Sequence, residues 1–327
     1  MKAVIVNTHG GPEQLRLDDL PMPDGEVLVR AHWAGINFVD IYQREGRYPG
    51  ITLPLRPGIE GSGIVERAAD GSGWHPGDRV AYTTGVQGSY AEYVAVPARH
   101  LIRVPDDIAL RDACTAVEHG MTAFVLVRSV ARLARNSTVL VHAAAGGVGG
   151  WLVQILVKEG HRVFGTVSSE AKAAWLRSAG ATPILYGEHG AWARQLHELT
   201  GGAGVGTVFD SVGADTFAAS LESLAIGGHL VLFGAASGQP GPVEVQRLMA
   251  RSATLTRPVL PHYLATPSAL REHADAVFDA IRTGTVTLRI HGAYRLDEAA
   301  QGHAALAGRG TQGKLLLAIR PDDDERR

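Results

Sequence analysis

Hydrophobic and polar positions divide the chain into two textures. From Met1 to about Pro105, short apolar runs of β type (KAVIV, EVLVRAHW, GSGIVERA, DRVAYT and AEYVAV) alternate with segments rich in Gly, Pro and Asp. Such spacing predicts a small, mostly antiparallel β domain, with Pro76, Gly77 and Asp78 forming one of its turns. From about Asp112, longer helical patterns alternate with VLVHAA, RVFGTV, TPILY, TVFDSV and HLVLFG. That alternation predicts βαβ units feeding a parallel sheet. SALREHADAVFDAIRTG reads as a helix, and the runs HGAYRL and GKLLLAI after it are expected to return to the first domain. The charged tail PDDDERR has nothing to bury and is expected to fray.

One stretch, VLVHAAAGGVGGWLVQILVKEG from Val139 to Gly160, is apolar enough to raise the question of a membrane span, which needs about 20 such residues. Its middle argues against one. Gly146, Gly147, Gly149 and Gly150 crowd together there, and each glycine costs a helix interior about 1 kcal/mol relative to Ala. Thr138 to Ala143 fits a buried parallel strand, while Trp151, Leu152, Ile155 and Leu156 recur at helical spacing. The unit is therefore strand, glycine turn, helix. Ala144, Gly146 and Gly149 fall on the three small-residue positions of the GxGxxG dinucleotide fingerprint, with alanine in the first. There Gly146, Gly147, Val148 and Gly149 would bring backbone N–H groups close to a pyrophosphate at the helix N-terminus. The second glycine string, Gly202, Gly204 and Gly206, precedes a strand and has no helix dipole to offer.

An NAD site would usually place a carboxylate at the end of the next strand to accept from the ribose 2'-hydroxyl. Here RVFGTV runs into Ser168 and Ser169, with Lys172 three residues beyond. Hydroxyls and an ammonium suit a 2'-phosphate, so NADPH is expected over NADH; Glu170 is the opposing feature.

Composition narrows the partners. A chain of 327 residues, 45% hydrophobic and 20% charged, has the make-up of a globular protein of about two domains. A net charge of -2 gives no general attraction to nucleic acid or anionic membranes. The single Cys114 cannot form an intramolecular disulfide, and Asn7 and His9 interrupt the N-terminal apolar run before it could serve as a signal peptide. A cytoplasmic location is expected.

The segments NFVDIYQREGRYP, GDRVAY, HAAAGGVG, VFDSVG and RGTQGKLLL together resemble the zinc-free quinone oxidoreductase branch, the zeta-crystallin type, of the medium-chain dehydrogenase/reductase superfamily. The likeness runs from Met1 to about Ile319. It implies an α/β fold: a GroES-like β domain, residues 1–119 and 261–327, plus a Rossmann domain with a doubly wound parallel sheet, residues 120–260, with NADPH in the cleft between them. The resemblance also implies a homodimer joined through Rossmann edge strands, for which SATLTRPVL is suited.

Carried over residue by residue, the resemblance places Asn37, Asp40 and Tyr42 beside the nicotinamide with Tyr48 nearby, and makes Asn37, Tyr42 and Tyr48 the candidate catalytic groups. Ser168, Lys172 and Tyr186 would meet the adenosine phosphate end, with Arg309 reaching it from the C-terminal segment. Thr122, Ser211, Phe233 and Gly234 would complete the cofactor contacts. No catalytic role follows for His119, which stands where relatives often carry Lys or Gln.

Zinc-dependent relatives carry Cys at the position of Asn37 and His at that of Ile59, and neither an amide nor an alkyl group is a usual zinc ligand. A metal-free site is expected. Without a Lewis acid, alcohol oxidation would lack stabilisation for its alkoxide. A quinone is easier, because hydride addition yields a delocalised anion that modest donors can hold. NADPH-dependent quinone reduction is thus the leading expectation, with reduction of an activated C=C bond in an enone or enoyl thioester as the alternative. A non-enzymatic alternative, NADPH-responsive RNA binding, would rest on Arg128, Arg132 and Arg135 along one face of a predicted helix.

Overall fold

The alternating runs of the first hundred residues become β1 (Lys2–Ile5), β2 (Arg16–Asp19), β3 (Val27–Ile36), β4 (Gly61–Ala68), β5 (Arg79–Tyr82), β6 (Tyr93–Val96) and β7 (Leu101–Arg103) in the computed structural model. The βαβ region supplies β8 (Thr138–Val141), β9 (Arg162–Val167), β10 (Thr182–Leu185), β11 (Val205–Asp210), β12 (Leu224–Leu232) and β13 (Thr254–Thr256). The last two are β14 (Ile290–Arg295) and β15 (Lys314–Ala318). The structure describes residues 1–83, 85–187 and 190–320; the tail expected to fray lies outside them.

The chain forms two compact units. The first comprises Met1–Met121, Leu264–Ile281 and the segment from Leu288 onward; the second comprises Thr122–Tyr263 and Arg282–Thr287. In the first, β3 is the hub. It pairs antiparallel with β4 over Val27–Ala34 along one edge, while β6 (opposite Val27–Arg30) and β15 (opposite Trp33–Ile36) share the other. The whole order is β14-β15-β3-β4-β5-β7, with only β14 and β15 parallel. β3 is buried along nearly its whole length, Arg30 alone being partly exposed. Val27, Val29 and Ala31 pack with Val65, Val80, Tyr82, Val94 and Leu101 in the barrel-like core.

The second unit is one parallel six-stranded sheet in the order β10-β9-β8-β11-β12-β13. The order runs outward in both directions from β8 and β11, so the switch point where such sheets bind ligands lies just after β8. Leu140, Phe164, Ile184, Val208 and Leu230, one from each of five strands, fill its core. Val139–Gly160 is thus a strand, a turn and the helix Gly147–Lys158. Among the described residues, no helix is long and apolar enough to cross a membrane.

Two sequence expectations need correction. The helix Leu110–Val125 loosens into a single wide turn over Leu126–Val130 and ends, with Ala131 extended and its N–H on the Leu126 carbonyl. Arg132 and Arg135 therefore lie past the helix, and Arg128 lays its guanidinium 4.4 Å from the Phe124 ring centre. No three-arginine helical face exists. The strands β2 and β7 also went unforeseen. The first, RLDD, is exposed at every residue, and pairing with β1 alone decides it.

Candidate functional site

In the second unit, β8 delivers the chain to a turn where Ala143 takes φ 49°. An alanine in the left-handed region is strained by about 1 kcal/mol or more, and it lets the chain double back into the helix Gly147–Lys158. Gly149 is required by close approach: a Cβ there would overlap the Ala143 carbonyl oxygen. The helix begins at Gly146 with no side chain of the described residues capping it, and Ala144 is wholly buried beneath the turn. Its first N–H groups and positive dipole end are left to an anion from outside the chain. Tyr186 belongs to the same turn, since its hydroxyl accepts from the Ala143 N–H at 3.0 Å and its ring stacks on His142. Ser211, Phe233 and Gly234 lie at the C-terminal ends of β11 and β12, where the Phe233 N–H bonds the Asp210 carbonyl and Gly234 lies against the Ser211 backbone.

At the end of β9, Ser169 caps the helix Glu170–Ser178 by accepting from the Lys172 N–H at 3.4 Å. The Lys172 ammonium folds back to donate to Ser168 Oγ at 3.1 Å, leaving the side chain only 8% exposed. This is not a freely solvated helix lysine. Glu170, the opposing feature, is turned away into an exposed ion pair with Arg177. Thr122 opens the second unit within the helix Leu110–Val125 and is partly exposed. Arg309 belongs to the first unit, exposed and at φ 57° just after the helix Ala299–Ala307.

The other candidates stand together in the first unit, at the start of the helix Phe38–Arg44. Its N-cap, Asn37, is 6% exposed, and the Asn37 N–H donates to Asp40 Oδ2 at 2.8 Å. Asp40 is fully buried, and it ends a chain of hydrogen bonds whose direction can be assigned. Arg44 can only donate, so His303 Nδ1 accepts from it at 3.0 Å; His303 Nε2–H then donates to the Tyr90 hydroxyl at 3.0 Å, and Tyr90 donates to Asp40 Oδ2 at 3.1 Å. Burial, with the Arg44 charge behind it, pushes the His303 imidazole down to about 3, in keeping with this neutral tautomer. Desolvation outweighs the donors around Asp40 and pushes its carboxyl up to about 7. Tyr42 is partly exposed between Phe38 and the Arg47 guanidinium, which sits 4.9 Å from its ring centre; Tyr48 is 40% exposed.

A second buried cluster adjoins Asn37, and the sequence did not reveal it. Glu60 and Lys314, 0% and 1% exposed, form an ion pair. Asn37 bridges them: Oδ1 accepts from Lys314 Nζ at 2.8 Å, and Nδ2 donates to Glu60 Oε2 at 3.0 Å. His119 Nε2 lies 3.4 Å from the same ammonium, and the Glu118 N–H donates to Glu60 Oε1 at 2.9 Å. Gly35 on β3 makes the room, because a Cβ there would overlap Glu60 and press on the Lys314 stem. Burial and the neighbouring ammonium hold the His119 imidazole well below its ordinary range.

Residues 23–106 match the alcohol dehydrogenase GroES-like domain and residues 147–281 the domain described as zinc-binding dehydrogenase. The chain is similar to a quinone oxidoreductase of Pseudomonas aeruginosa, 39% identical with 97% of this chain and 99% of that one covered. It is also similar to a 2-haloacrylate reductase of a Burkholderia species, 34% identical over 96% of this chain and 98% of that one. Among solved structures, the quinone oxidoreductase of Escherichia coli in complex with NADPH superposes with a TM-score of 0.93 at 34% identity, covering 98% and 100% of the two chains.

The name of the second domain raises the question of zinc, and the residues here do not fit the metal. The amide of Asn37 is taken up by Glu60 and Lys314, Ile59 is an alkyl group 8% exposed, and a buried ammonium stands where a cation would have to approach. Among the described residues, no three His, Cys, Asp or Glu side chains are grouped to hold a metal ion. Two-domain matches, near-complete coverage and the donor set agree: the chain belongs to the quinone oxidoreductases of the medium-chain dehydrogenase/reductase superfamily.

Proposed function

We propose that this protein reduces quinones with NADPH, by hydride transfer and without a metal. The observation that carries the reading is the end-to-end likeness to quinone oxidoreductases, one of them bound to NADPH. The chain's own residues support it. The uncapped N-terminus of the helix Gly147–Lys158, with the backbone of Gly146, Gly147, Val148 and Gly149, would hold the pyrophosphate, and Ser168 and Lys172 the 2'-phosphate. Thr122, Tyr186, Ser211, Phe233, Gly234 and Arg309 are the further candidate contacts.

When bound, the nicotinamide supplies the hydride; the protein supplies position and electrostatics. Asn37 presents its amide near the acceptor, and the hydroxyls of Tyr42 and Tyr48 are further candidate donors. Asp40, wholly buried, acts by holding the first turn of the helix that carries Tyr42. The acceptor gains a hydride and becomes a hydroquinone monoanion, which takes its proton from water. A lone Cys114, buried and unpaired, accords with work in the cytoplasm.

The likeness to a 2-haloacrylate reductase favours a second reading, reduction of an activated C=C bond. Steady-state oxidation of NADPH with a simple benzoquinone and with a haloacrylate or enone separates the two. Quinone turnover at least tenfold more efficient in kcat/KM is expected; turnover confined to the C=C substrate would overturn quinone reduction.

A further inference from the structure

The Lys314 ammonium has three N–H donors and three acceptors within reach: Glu60 Oε2, Asn37 Oδ1 and His119 Nε2. From this geometry we infer that Lys314 is a positioning residue that turns two ambivalent side chains, Asn37 and His119, into dedicated hydrogen-bond donors, and that His119 donates through Nδ1–H to the acceptor's oxygen during reduction. The inference rests on quinone reduction as proposed above and assigns to that reaction a group with no role in it so far.

Each half follows from donor accounting. An Asn amide can face a ligand with either its oxygen or its nitrogen. Here Lys314 can only donate and so claims Oδ1, whereas the Glu60 carboxylate accepts and so claims one Nδ2 hydrogen. What Asn37 has left is the second Nδ2 hydrogen, a donor. The imidazole of His119 is likewise ambivalent, since either nitrogen can carry the proton. An ammonium facing Nε2 forces that nitrogen to accept, so the proton sits on Nδ1. Desolvation and the ammonium disfavour a second proton, and the ring stays a neutral Nδ1–H donor. His119 keeps partial exposure, unlike Glu60 and Lys314 beneath it, so it can meet a ligand while they cannot.

Two dedicated N–H donors are what reduction of a quinone needs. Hydride enters the acceptor, and the electron pair it brings moves onto a carbonyl oxygen. Donors already aimed at that oxygen stabilise the product anion more than the neutral ground state. The buried ammonium reinforces both donors by polarising the amide and the imidazole toward their outer N–H groups.

The first test is the ¹⁵N spectrum of the wild-type protein at pH 7, with the His119 signals identified by their loss in His119→Gln. A protonated Nδ1 and bare Nε2 are expected; a protonated Nε2 or an imidazolium would overturn the inference. The second is kinetic. His119→Ala is expected to lower kcat for a benzoquinone by about tenfold or more while the KM for NADPH stays within about twofold, and an unchanged kcat would remove His119 from the reaction. Because Lys314→Met alone would strand the Glu60 charge in the interior, the double variant Glu60→Gln/Lys314→Met probes the ammonium. It is expected to lose the fixed His119 tautomer and a similar share of kcat; retention of both would show that Lys314 positions nothing. A wild type inert toward every quinone would sink the functional reading, while the spectrum would still decide whether Lys314 sets the His119 tautomer.

Discussion

Asp40 sits in the fold at an energetic disadvantage whose size depends on pH. Its carboxyl is raised to about 7 by burial, against an unfolded value of 3.8. Between these values the folded state keeps a proton that the unfolded state has released. Stability from this group therefore falls as pH rises from about 4 to about 7, and the cost is fully present above 7. His303 works in the opposite sense on the acid side, being held neutral down to about 3. Comparing Asp40→Asn with wild type isolates the carboxylate, because Asn keeps an acceptor for Asn37 N–H and Tyr90. Thermal unfolding should show the variant more stable by roughly 2–4 kcal/mol at pH 8, with the difference closing toward pH 4. A constant difference across that range would mean Asp40 is ionised at no cost. Lys172 carries a second prediction at this scale. With its ammonium already poised on Ser168, Lys172→Ala should cut the preference for NADPH over NADH about tenfold to a hundredfold, read as the ratio of kcat/KM values. An unaltered ratio would make the lysine structural.

At the scale of elements, legibility followed locality. The turn between β8 and its helix could be read because its glycines cluster within five positions, and Gly146 and Gly149 both close on Ala143, only a few residues back. Gly149→Ala should expose that requirement: its methyl group must displace the Ala143 carbonyl, which is already held at positive φ. NADPH affinity by fluorescence titration should fall at least tenfold, with a lowered melting temperature; wild-type binding would show that the turn can open without loss. The strands with apolar alternation were likewise legible. RLDD and LIR were not, because one is wholly exposed and the other too short to show a period, and both are strands only by virtue of their partners. The end of the helix at Val130 was hidden too, since no Gly or Pro marks it. Least legible was the cluster around Lys314, whose hydrogen bonds to Asn37, Glu60 and His119 span 277, 254 and 195 residues. No spacing rule reaches so far. His119 stood visible in EHGMTA, but its meaning depends on an ammonium contributed by the last strand.

For the molecule as a whole, the short strand β13 leaves one edge of the parallel sheet unpaired, and the chain around it exposes apolar side chains. Ile226, Val245 and Met249 are 73%, 78% and 69% exposed, unusual for residues of this kind near a sheet edge. Pairing of this edge with that of a second copy would cover both, so a dimer is expected by light scattering at micromolar concentration. Val245→Asp/Met249→Asp should shift it toward monomer with the fold intact. A monomeric wild type would refute the dimer.

The hub strand β3 has an implication for how the molecule is made. A ribosome releases the chain from its N-terminus, so β3, β4 and Glu60 emerge early, while β14 and β15 arrive only after the entire parallel sheet has been synthesised. During that interval β3 has an open edge from Trp33 to Ile36, and the Glu60 carboxylate has no cation to meet. The nascent first unit can gather the core around Val27, Val65 and Leu101 but not the one completed by Ala299, Leu315 and Leu317, whereas the second unit is complete apart from Arg282–Thr287 once Tyr263 has emerged. The part synthesised first is finished last. The hydrogen bond from Lys314 that claims the Asn37 oxygen forms only at the close of translation, so a product truncated before β15 cannot assemble the Lys314 cluster.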